Sequence, residues 1–148
     1  MKLMIKTFPE LTGRELYEIL RLRSEVFIVE QKGCYQDLDQ VDYDSIHIFL
    51  WDEAGSAEGC VRIFPRPGHP HTVQIGRLAV RSRRAGHGTR LMEQARLLAA
   101  ERYGARFLFL EGRRSAREFY QALGYRPSLP SCFSSEEEAA YFEFSRRI

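Results

Sequence analysis

The stretch that decides the fold is residues 74–89, which read QIGRLAVRSRRAGHGT. Its apolar first half continues a run that begins one residue earlier and predicts a strand over residues 73–80. Two glycines then permit a tight turn into a helix, whose first N–H groups lack partners within the helix and attract anions together with the helix dipole. We therefore expect a strand, a phosphate-binding turn and a helix, with Arg83 and Arg84 available for outer phosphate charge.

Two familiar glycine-rich phosphate sites do not fit this turn. The dinucleotide fingerprint G-x-G-x-x-G lacks its third glycine, because Arg90 and Leu91 follow Thr89. The P-loop needs a lysine followed by serine or threonine, and the turn contains no lysine. Taken alone, the pattern also describes a glycine-rich turn beside two surface arginines that binds nothing, and that alternative stays open at this point.

Outward from this stretch, apolar periodicity predicts strands that alternate with helices. Thr12 and Glu15 have the spacing of a capping box, so a first helix starts there and runs to about residue 27. A second helix follows the turn and ends near Gly104, and a third helix spans residues 115–123. The predicted strands are residues 3–8, 46–51, 59–64, 73–80, 106–111 and 141–144. The order β-α-β-β-β-α-β-α-β predicts an α/β fold in which a mixed sheet is flanked by helices, as a single domain over 1–148.

The composition is that of a folded domain. Of the 148 residues, 44% are hydrophobic, which excludes a largely disordered chain. No apolar run approaches the about 20 residues of a membrane span, and the start, MKLMIKTFPE, lacks the apolar core and cleavage site of a secretory signal. Cys34, Cys60 and Cys132 form no C-x-x-C pair. We therefore expect a cytoplasmic protein with reduced thiols and no membrane contact.

Basic charge is concentrated in the second half of the chain, where it consists of arginine alone. Residues 1–74 carry a net charge of −4, whereas residues 75–148 carry +6. Arginine suits planar, bidentate contacts with phosphate or carboxylate. The bias fits a nucleic-acid surface, a phosphorylated small molecule or a solvated face, and composition does not choose among the three.

Three ordered motifs resemble one known family. The pattern R-x-x-G-x-G at residues 83–88 matches the acyl-CoA-binding motif of the GCN5-related N-acetyltransferase (GNAT) superfamily. The segment FYQALGY at residues 119–125 is similar to that family's F-Y-x-x-x-G-F segment, and LRSEVFIVEQ (22–31) with CYQD (34–37) resembles its ElaA-like subgroup. The resemblance covers about residues 16–125. It implies the acyl-CoA N-acyltransferase fold with a centrally splayed sheet, and an acetyl-CoA-dependent N-acetyltransferase that acts on a primary amine.

By this resemblance, acetyl-CoA lies where two strands, residues 74–80 and 106–111, part from each other. The first strand's main chain would bind the pantetheine arm, the turn's amides the pyrophosphate, and the later helix the other side. The residues implied are Leu78, Ala79, Val80, Arg83, Arg84, Ala85, Gly86, His87, Gly88, Thr89, Ser115, Arg117 and Phe119. The resemblance thus assigns the arginine charge to CoA phosphates rather than to a nucleic acid. Because similar proteins are commonly dimers, it also favours a homodimer.

Candidate catalytic residues follow from the same resemblance. Tyr120 stands where a phenol donates a proton to the departing CoA thiolate, whose ordinary pKa is ~8.5. The attacking amine must lose a proton, and Glu30, at the end of an apolar run, is the candidate that takes it or binds a cationic substrate. Arg77 would pair with Glu30 or with a substrate carboxylate, and His47 would relay protons. Each residue also has a purely structural interpretation, such as a core aromatic for Tyr120.

The acidic stretch 30–44 is predicted to face the acceptor or to be solvated charge, and it mildly favours a cationic acceptor. Four aspartates lie there: Asp37, Asp39, Asp42 and Asp44. They do not form a calcium EF-hand, because Asp42 and Ile48 stand where that loop needs glycine and glutamate. The His69-Pro70-His71 tract offers no further ligand nearby. No metal site is expected.

Two departures from the family pattern stand out: the first affects a side-chain contact to the pantetheine arm, where an arginine could reach a phosphate instead, and the second affects the geometry of the acceptor side. Arg113 stands where many relatives have asparagine, and residues 134–140 are acidic where ElaA-like relatives often carry a G-x-x-H hairpin. Alternative functions remain a non-catalytic acyl-CoA-binding or nucleic-acid-binding module and an enzyme like acyl-homoserine-lactone synthase. The last is disfavoured, because 148 residues do not readily hold the longer acyl-binding region of those enzymes.

Overall fold

The structure, a computed structural model, describes residues 1–136 and 139–148. The strands are β1 (Lys2–Thr7), β2 (Ile46–Trp51), β3 (Ala57–Pro65), β4 (Thr72–Val80), β5 (Phe107–Arg113), β6 (Arg126–Ser128) and β7 (Tyr141–Arg147). The α-helices are α1 (Gly13–Arg23), α2 (His87–Tyr103) and α3 (Arg117–Ala122). Single helical turns are Phe8–Glu10, Ser24–Glu30, Val41–Asp44 and Arg114–Ala116. Glu137 and Glu138, in the predicted acidic segment before the last strand, lie outside the described residues.

All seven strands form one sheet in the order β1-β2-β3-β4-β5-β7-β6, and its centre is split. β4 and β5 pair in parallel over three positions, from Thr72 opposite Phe107 to Gln74 opposite Phe109. Beyond those positions each strand continues beside its other neighbour, β4 beside β3 and β5 beside β7. We call the resulting gap between residues 75–80 and 110–113 the fork. The mixed, centrally splayed sheet of the acyl-CoA N-acyltransferase fold is therefore confirmed.

A β-bulge on β4 changes which face its side chains point to. Cys60 pairs with Ala79 and Arg62 pairs with Gly76, so three steps on β4 oppose two on β3. Arg77, inside the bulge, has a φ of 55°. The extra residue breaks the alternation of side chains. As a result, Ile75 and Ala79, an even number of steps apart, belong to cores on opposite sides of the sheet.

Apolar side chains fill both faces of the sheet. On the face covered by α2 and α3, the α2 face, the core includes Ile48, Ile63, Leu91, Leu108 and Phe144. On the opposite face, the α1 face, the core consists of Ile19, Leu22, Val26, Phe49, Ala57, Cys60 and Ala79. This second core covers the first half of the sheet, since α1 packs on β3 and β4. The α1 face of β5 and β7 is left largely open, and that opening adjoins the fork.

The predicted elements are present, with three differences. The capping box is confirmed: Thr12 Oγ1 accepts from the N–H of Glu15, whose carboxylate accepts from the N–H of Thr12. The first helix is α-helical only to Arg23 and continues as a π-helical turn, in which the N–H of Gln31 donates to Val26 O five residues back.

The third predicted helix begins with a 3₁₀ turn, Arg114–Ala116, before α3. The predicted element order omits β6, so it was wrong by one strand. Three residues with a central Pro127 are too few to show the alternation that marks a strand, and proline is tolerated at a sheet edge. No helix of the described residues is long and apolar enough to cross a membrane.

Candidate functional site

The fork exposes one main-chain edge of β4. On its other side the strand pairs with β3, and beyond Gln74 it has no ladder with β5 in the described chain. Leu78 and Val80 turn their side chains into the core of the α2 face, so their main chain is what borders the gap. An unpaired strand edge offers N–H and C=O groups to an extended ligand, which can add to the sheet as a further strand.

Directly after this edge, the chain turns and presents the start of α2. Arg84 and Gly86 have φ angles of 59° and 80°, so two left-handed residues produce the turn. No side chain caps the first N–H groups of α2, which begins at His87. A Cβ at Gly86 would meet no atom within 4 Å, which shows that the space above the turn is open. The geometry is that of an anion site at a helix N-terminus.

Gly88 brings the start of α2 close to α3 across the fork. A Cβ at this position would lie 3.3 Å from Cζ of Phe119, tighter than ordinary van der Waals contact. Phe119 itself packs on the edge of the α2-face core. Three of the predicted cofactor-binding groups, namely the β4 edge, the turn and α3, therefore meet around one cleft. Ser115 is exposed in the turn before α3, and the Arg117 guanidinium is 4.8 Å from the Phe142 ring.

Glu58 organises the turn, although the sequence did not single it out. Its side chain, almost fully buried on β3, accepts a hydrogen bond of 3.1 Å from the N–H of Ser82. The guanidinium of Arg81 lies 3.5 Å and Nε2 of His87 4.0 Å from the same carboxylate. The available signal was a carboxylate directly before the predicted strand 59–64, because a charge that the strand buries requires partners. Glu58 thus ties β3 to both ends of the turn.

Tyr120 lies beside the parted segment of β5, on the α2 face. Its side chain is 9% exposed and contacts the rings of Phe119 and Phe144 at centroid distances of 5.1 and 5.0 Å. Gly112 of β5 is so close that a Cβ there would lie 2.7 Å from the tyrosine ring. Burial raises the pKa of Tyr120 to about 12. The phenol is therefore protonated at neutral pH and able to donate.

Glu30 ends the π-helical turn and lies beside the anion-binding turn. Its carboxylate accepts a hydrogen bond of 2.7 Å from Arg83, and both side chains are exposed. The expected pairing of Glu30 with Arg77 is not what the structure shows. Arg77 instead lies 2.7 Å from Asp37 and 3.3 Å from Asp39, because the bulge on β4 points it toward the loop that follows Glu30.

A group of six charges, four of them buried, holds that loop, and we call it the Arg–Asp network. Its members are Arg23 of α1, Arg62 of β3, Arg77 of β4, and Asp37, Asp39 and Asp42 of the loop. Arg23, 1% exposed, lies 3.0 Å from Asp37 and 2.7 Å from Asp42. Arg62 lies 2.9 Å from Asp42 and 2.6 Å from Asp39. Three positive charges thus face three negative ones.

The network corrects the prediction for the acidic loop. Burial alone would raise the pKa of Asp39, but the hydrogen bonds and charge of the Arg62 guanidinium lower this pKa to about 2. The pKa of Asp42 is also lowered, by Arg23 and Arg62, against the effect of burial. Asp37 and Asp42 are therefore buried, and Asp39, although exposed, is paired with Arg62 and Arg77, so the three charges are neutralised within the protein. The prediction of solvated charge was wrong for Asp37 and Asp42, because the neutralising arginines come from α1, β3 and β4, far away along the chain.

His47 lies under the same network rather than at the fork. Its Nε2 donates a 2.9 Å hydrogen bond to the carbonyl oxygen of Asp42, and the ring is almost fully buried. Burial lowers its pKa, so the ring is neutral at physiological pH. Its strand, β2, is separated from β4 by β3. The structure therefore does not bring His47 together with Tyr120.

Two surface depressions lie away from the fork. One of about 580 Å³ is formed around the start of β4 and the end of α2, with Arg66, His71 and Tyr103 in its wall. A second, of about 310 Å³, shares Tyr103. The fork is an open cleft along a strand, so its chemistry rather than its enclosed volume marks it as the candidate site. Within the described residues, no three His, Cys, Asp or Glu side chains are grouped as a metal site.

Comparisons with known proteins agree with this geometry. The model of the acetyltransferase (GNAT) family matches residues 14–125. A UPF0039 protein of Schizosaccharomyces pombe is 32% identical over 129 residues, covering 85% of each chain. The protein ElaA of Escherichia coli is 31% identical over 122 residues, covering 80% of this chain and 79% of ElaA.

Two solved structures superpose over nearly the whole chain. The crystal structure of Escherichia coli ElaA gives a TM-score of 0.85 at 28% identity, covering 98% of both chains. An acyl-CoA N-acyltransferase from Pseudomonas aeruginosa gives a TM-score of 0.84 at 29% identity, also covering 98% of both chains. The similarity therefore includes the fork, the turn and the loop of the Arg–Asp network.

Proposed function

The chain belongs to the acetyltransferase (GNAT) family, in its ElaA-like subgroup, and from that premise we propose that it transfers an acetyl group from acetyl-CoA to a primary amine of a small molecule or peptide. Family and fold make it an acyl-CoA N-acyltransferase. The choice of acetyl-CoA as donor, of an amine as acceptor, and of a cytoplasmic homodimer as the working form belongs to the proposal.

The observation that carries the proposal is the continuity of the β4 edge with the uncapped start of α2. An acyl-CoA has an extended pantetheine arm with two amides, followed by a pyrophosphate. The edge at Leu78 and Val80 offers hydrogen bonds to the amides, and the first N–H groups of α2 offer them to the pyrophosphate. The exposed guanidiniums of Arg83 and Arg84 stand beside the turn for the remaining phosphate charge. One ligand of this shape satisfies the whole cleft.

In the proposed reaction, the neutral amine nitrogen attacks the thioester carbonyl carbon. The tetrahedral oxyanion is stabilised by a main-chain N–H of β4 near Leu78, and it collapses by breaking the C–S bond. Tyr120 donates its hydroxyl proton toward the sulfur as negative charge develops there, and the proton that the acylated nitrogen loses, passed through water, restores the phenol. Because the pKa of Tyr120 is about 12, the phenol holds this proton until the bond breaks.

The proton of the attacking ammonium is assigned to Glu30, which takes it directly or through a water molecule. The carboxylate lies at the edge of the cleft, where Arg83 holds it by a 2.7 Å contact. Arg77 and His47 are assigned to the acceptor side through the loop that they support rather than by direct proton transfer. The roles of all four residues are parts of the same proposal.

Calorimetry with acetyl-CoA and a thiol-release assay with a panel of primary amines test this function. We expect saturable binding of acetyl-CoA and amine-dependent release of CoA. Absence of saturable binding would contradict the assignment of acetyl-CoA as the donor. Binding without turnover on any amine would favour a non-catalytic acyl-CoA-binding module. Affinity for nucleic acid that falls steeply with salt would instead indicate a nucleic-acid-binding module.

A further inference from the structure

Beyond the fork, β5 carries two charged side chains on the open α1 face. Along the strand, Leu108 and Leu110 point into the α2-face core, and Gly112 lies against Tyr120. Side chains alternate along a strand, so Glu111 and Arg113 point to the opposite, open face. Both are exposed, and about 7 Å of strand separates them.

Neither of these charges is neutralised by a side chain in the described part of the chain. Glu111 is directly opposite Glu143 of β7, and Arg113 is opposite Tyr141. No ion pair of the described residues includes Glu111, Glu143 or Arg113, in contrast to Arg117, which lies 3.7 Å from Glu136. Like charges directly across an antiparallel pair are destabilising. The arrangement therefore lowers stability, and no ion pair in residues 1–136 and 139–148 compensates for it.

The loop of the Arg–Asp network covers the same opening from the other side of the fork. Tyr35, half-exposed, lies over Arg77 with the guanidinium 5.5 Å from its ring centre. Burial raises the pKa of Tyr35, and the charges of Arg77 and, more weakly, Arg113 oppose that rise. Arg77 is already neutralised by Asp37 and Asp39. Within the described residues, the cleft between the loop and β5 thus keeps Arg113 as a cation, and Glu111 with Glu143 as anions, none of them in an ion pair.

We propose that this cleft is a subsite for an acceptor that carries both an amine and a carboxylate, such as a free amino acid, with Arg113 binding the carboxylate and Glu111 orienting the ammonium. The inference rests on the proposed function, since it concerns the acceptor of the same reaction. A guanidinium binds a carboxylate by two parallel hydrogen bonds, and an ammonium placed between Glu111 and Glu143 relieves their repulsion. A bare amine would leave Arg113 unpaired, and a purely anionic acceptor would leave the two glutamates unpaired.

The test compares how efficiently the protein acetylates acceptors that differ only in the carboxyl group. Each free amino acid of a panel is paired with its primary amide and with the amine that lacks the carboxyl group, and kcat/KM is measured by thiol release. We expect at least one amino acid to exceed its amide and its amine by about tenfold or more, since a hydrogen bond to a charged group contributes about 1.5–3 kcal/mol. Equal rates for all three forms in every set would overturn the inference.

Variants locate the subsite. Arg113→Gln is expected to raise KM for the preferred amino acid by about 10- to 100-fold while leaving KM for the matched amine and for acetyl-CoA unchanged. Glu111→Gln is expected to raise KM for both acceptors. Arg147→Gln, at the opposite end of β7, is the matched control and should change none of these values. An Arg113→Gln enzyme that keeps the amino-acid preference would overturn the inference.

The result for the acceptor subsite can be distinguished from the result for the proposed acetyltransferase function. Calorimetric binding of acetyl-CoA and turnover on any amine support the acetyltransferase assignment whatever the acceptor preference. Turnover that ignores the carboxylate overturns the subsite alone. Failure of acetyl-CoA to bind overturns the proposed function first, and the subsite falls with it.

Discussion

Asp42→Asn is expected to reveal how strongly the Arg–Asp network stabilises the fold. Asp42 Oδ1 lies 2.7 Å from Arg23 and 2.9 Å from Arg62, and all three side chains are almost fully buried. The substitution preserves the shape of the side chain but removes the negative charge that the two buried guanidiniums share. Breaking a buried ion pair in this way costs about 3–5 kcal/mol. A domain of this size has a free energy of unfolding of about 5–15 kcal/mol, so the loss is a large fraction of the total.

The measurement is chemical denaturation in urea, followed by fluorescence and circular dichroism. A loss of 3–5 kcal/mol lowers the midpoint by about 1.5–2.5 M for a typical m-value of about 2 kcal/mol/M, with the m-value itself unchanged. Asp44→Asn is the matched control, because Asp44 is two residues away in the same helical turn and exposed. The control should shift the free energy of unfolding by less than about 0.5 kcal/mol. An Asp42→Asn change of the same small size would refute the assignment of a stabilising role to the network.

Three further predictions concern the cleft and acid stability. Gly88→Val should push the Phe119 ring, which a Cβ would already approach to 3.3 Å, and weaken acetyl-CoA binding in calorimetry by about tenfold, whereas Gly13→Ala, with no atom within 4 Å, should not. Tyr120→Phe should lower kcat by about 100-fold with little change in acetyl-CoA affinity, and an unchanged kcat would remove the phenol from its role. Asp39 has a pKa of about 2 in the folded chain against 3.8 ordinarily, so the folded state binds fewer protons between these values. Its contribution of about 1–2 kcal/mol should be complete above pH 4 and lost as the pH falls toward 2, and acid denaturation that is insensitive to Asp39→Asn would contradict this.

The sequence predicts the parts of the fold that depend on local patterns. The capping box of Thr12 and the termination of α2 at Gly104 are decided by residues within one helical turn, and both are present. The glycine turn is likewise local, since Gly86 has the positive φ that only a glycine adopts without strain. These features follow from short-range stereochemistry, which a single sequence contains in full.

The parts that the sequence does not reveal depend on partners far apart along the chain. Arg23 and Asp42 are 19 residues apart, and Arg77 and Asp37 are 40 residues apart. No periodicity links such positions, so the aspartates seemed to be free acidic charge. The π-helical turn at Ser24–Glu30 was not predicted either. A hydrogen bond to the residue five rather than four positions back leaves the apolar pattern almost unaltered. The charge of this loop was therefore predicted without the arginines that neutralise its aspartates.

The bulge on β4 restricts which sequence changes this protein tolerates. Without the bulge, residue 77 would follow the alternation of Val73 and Ile75 and point into the opposite core, and its ties to Asp37 and Asp39 would be impossible. The same insertion leaves Leu78 and Val80 with their side chains in the α2-face core at the parted edge. One extra amino acid would thus couple the proposed donor-binding edge to the shape of the proposed acceptor wall. Deletions at this point should remove both at once, whereas the outer surface of the loop, around Tyr35, is free to change and redirect specificity.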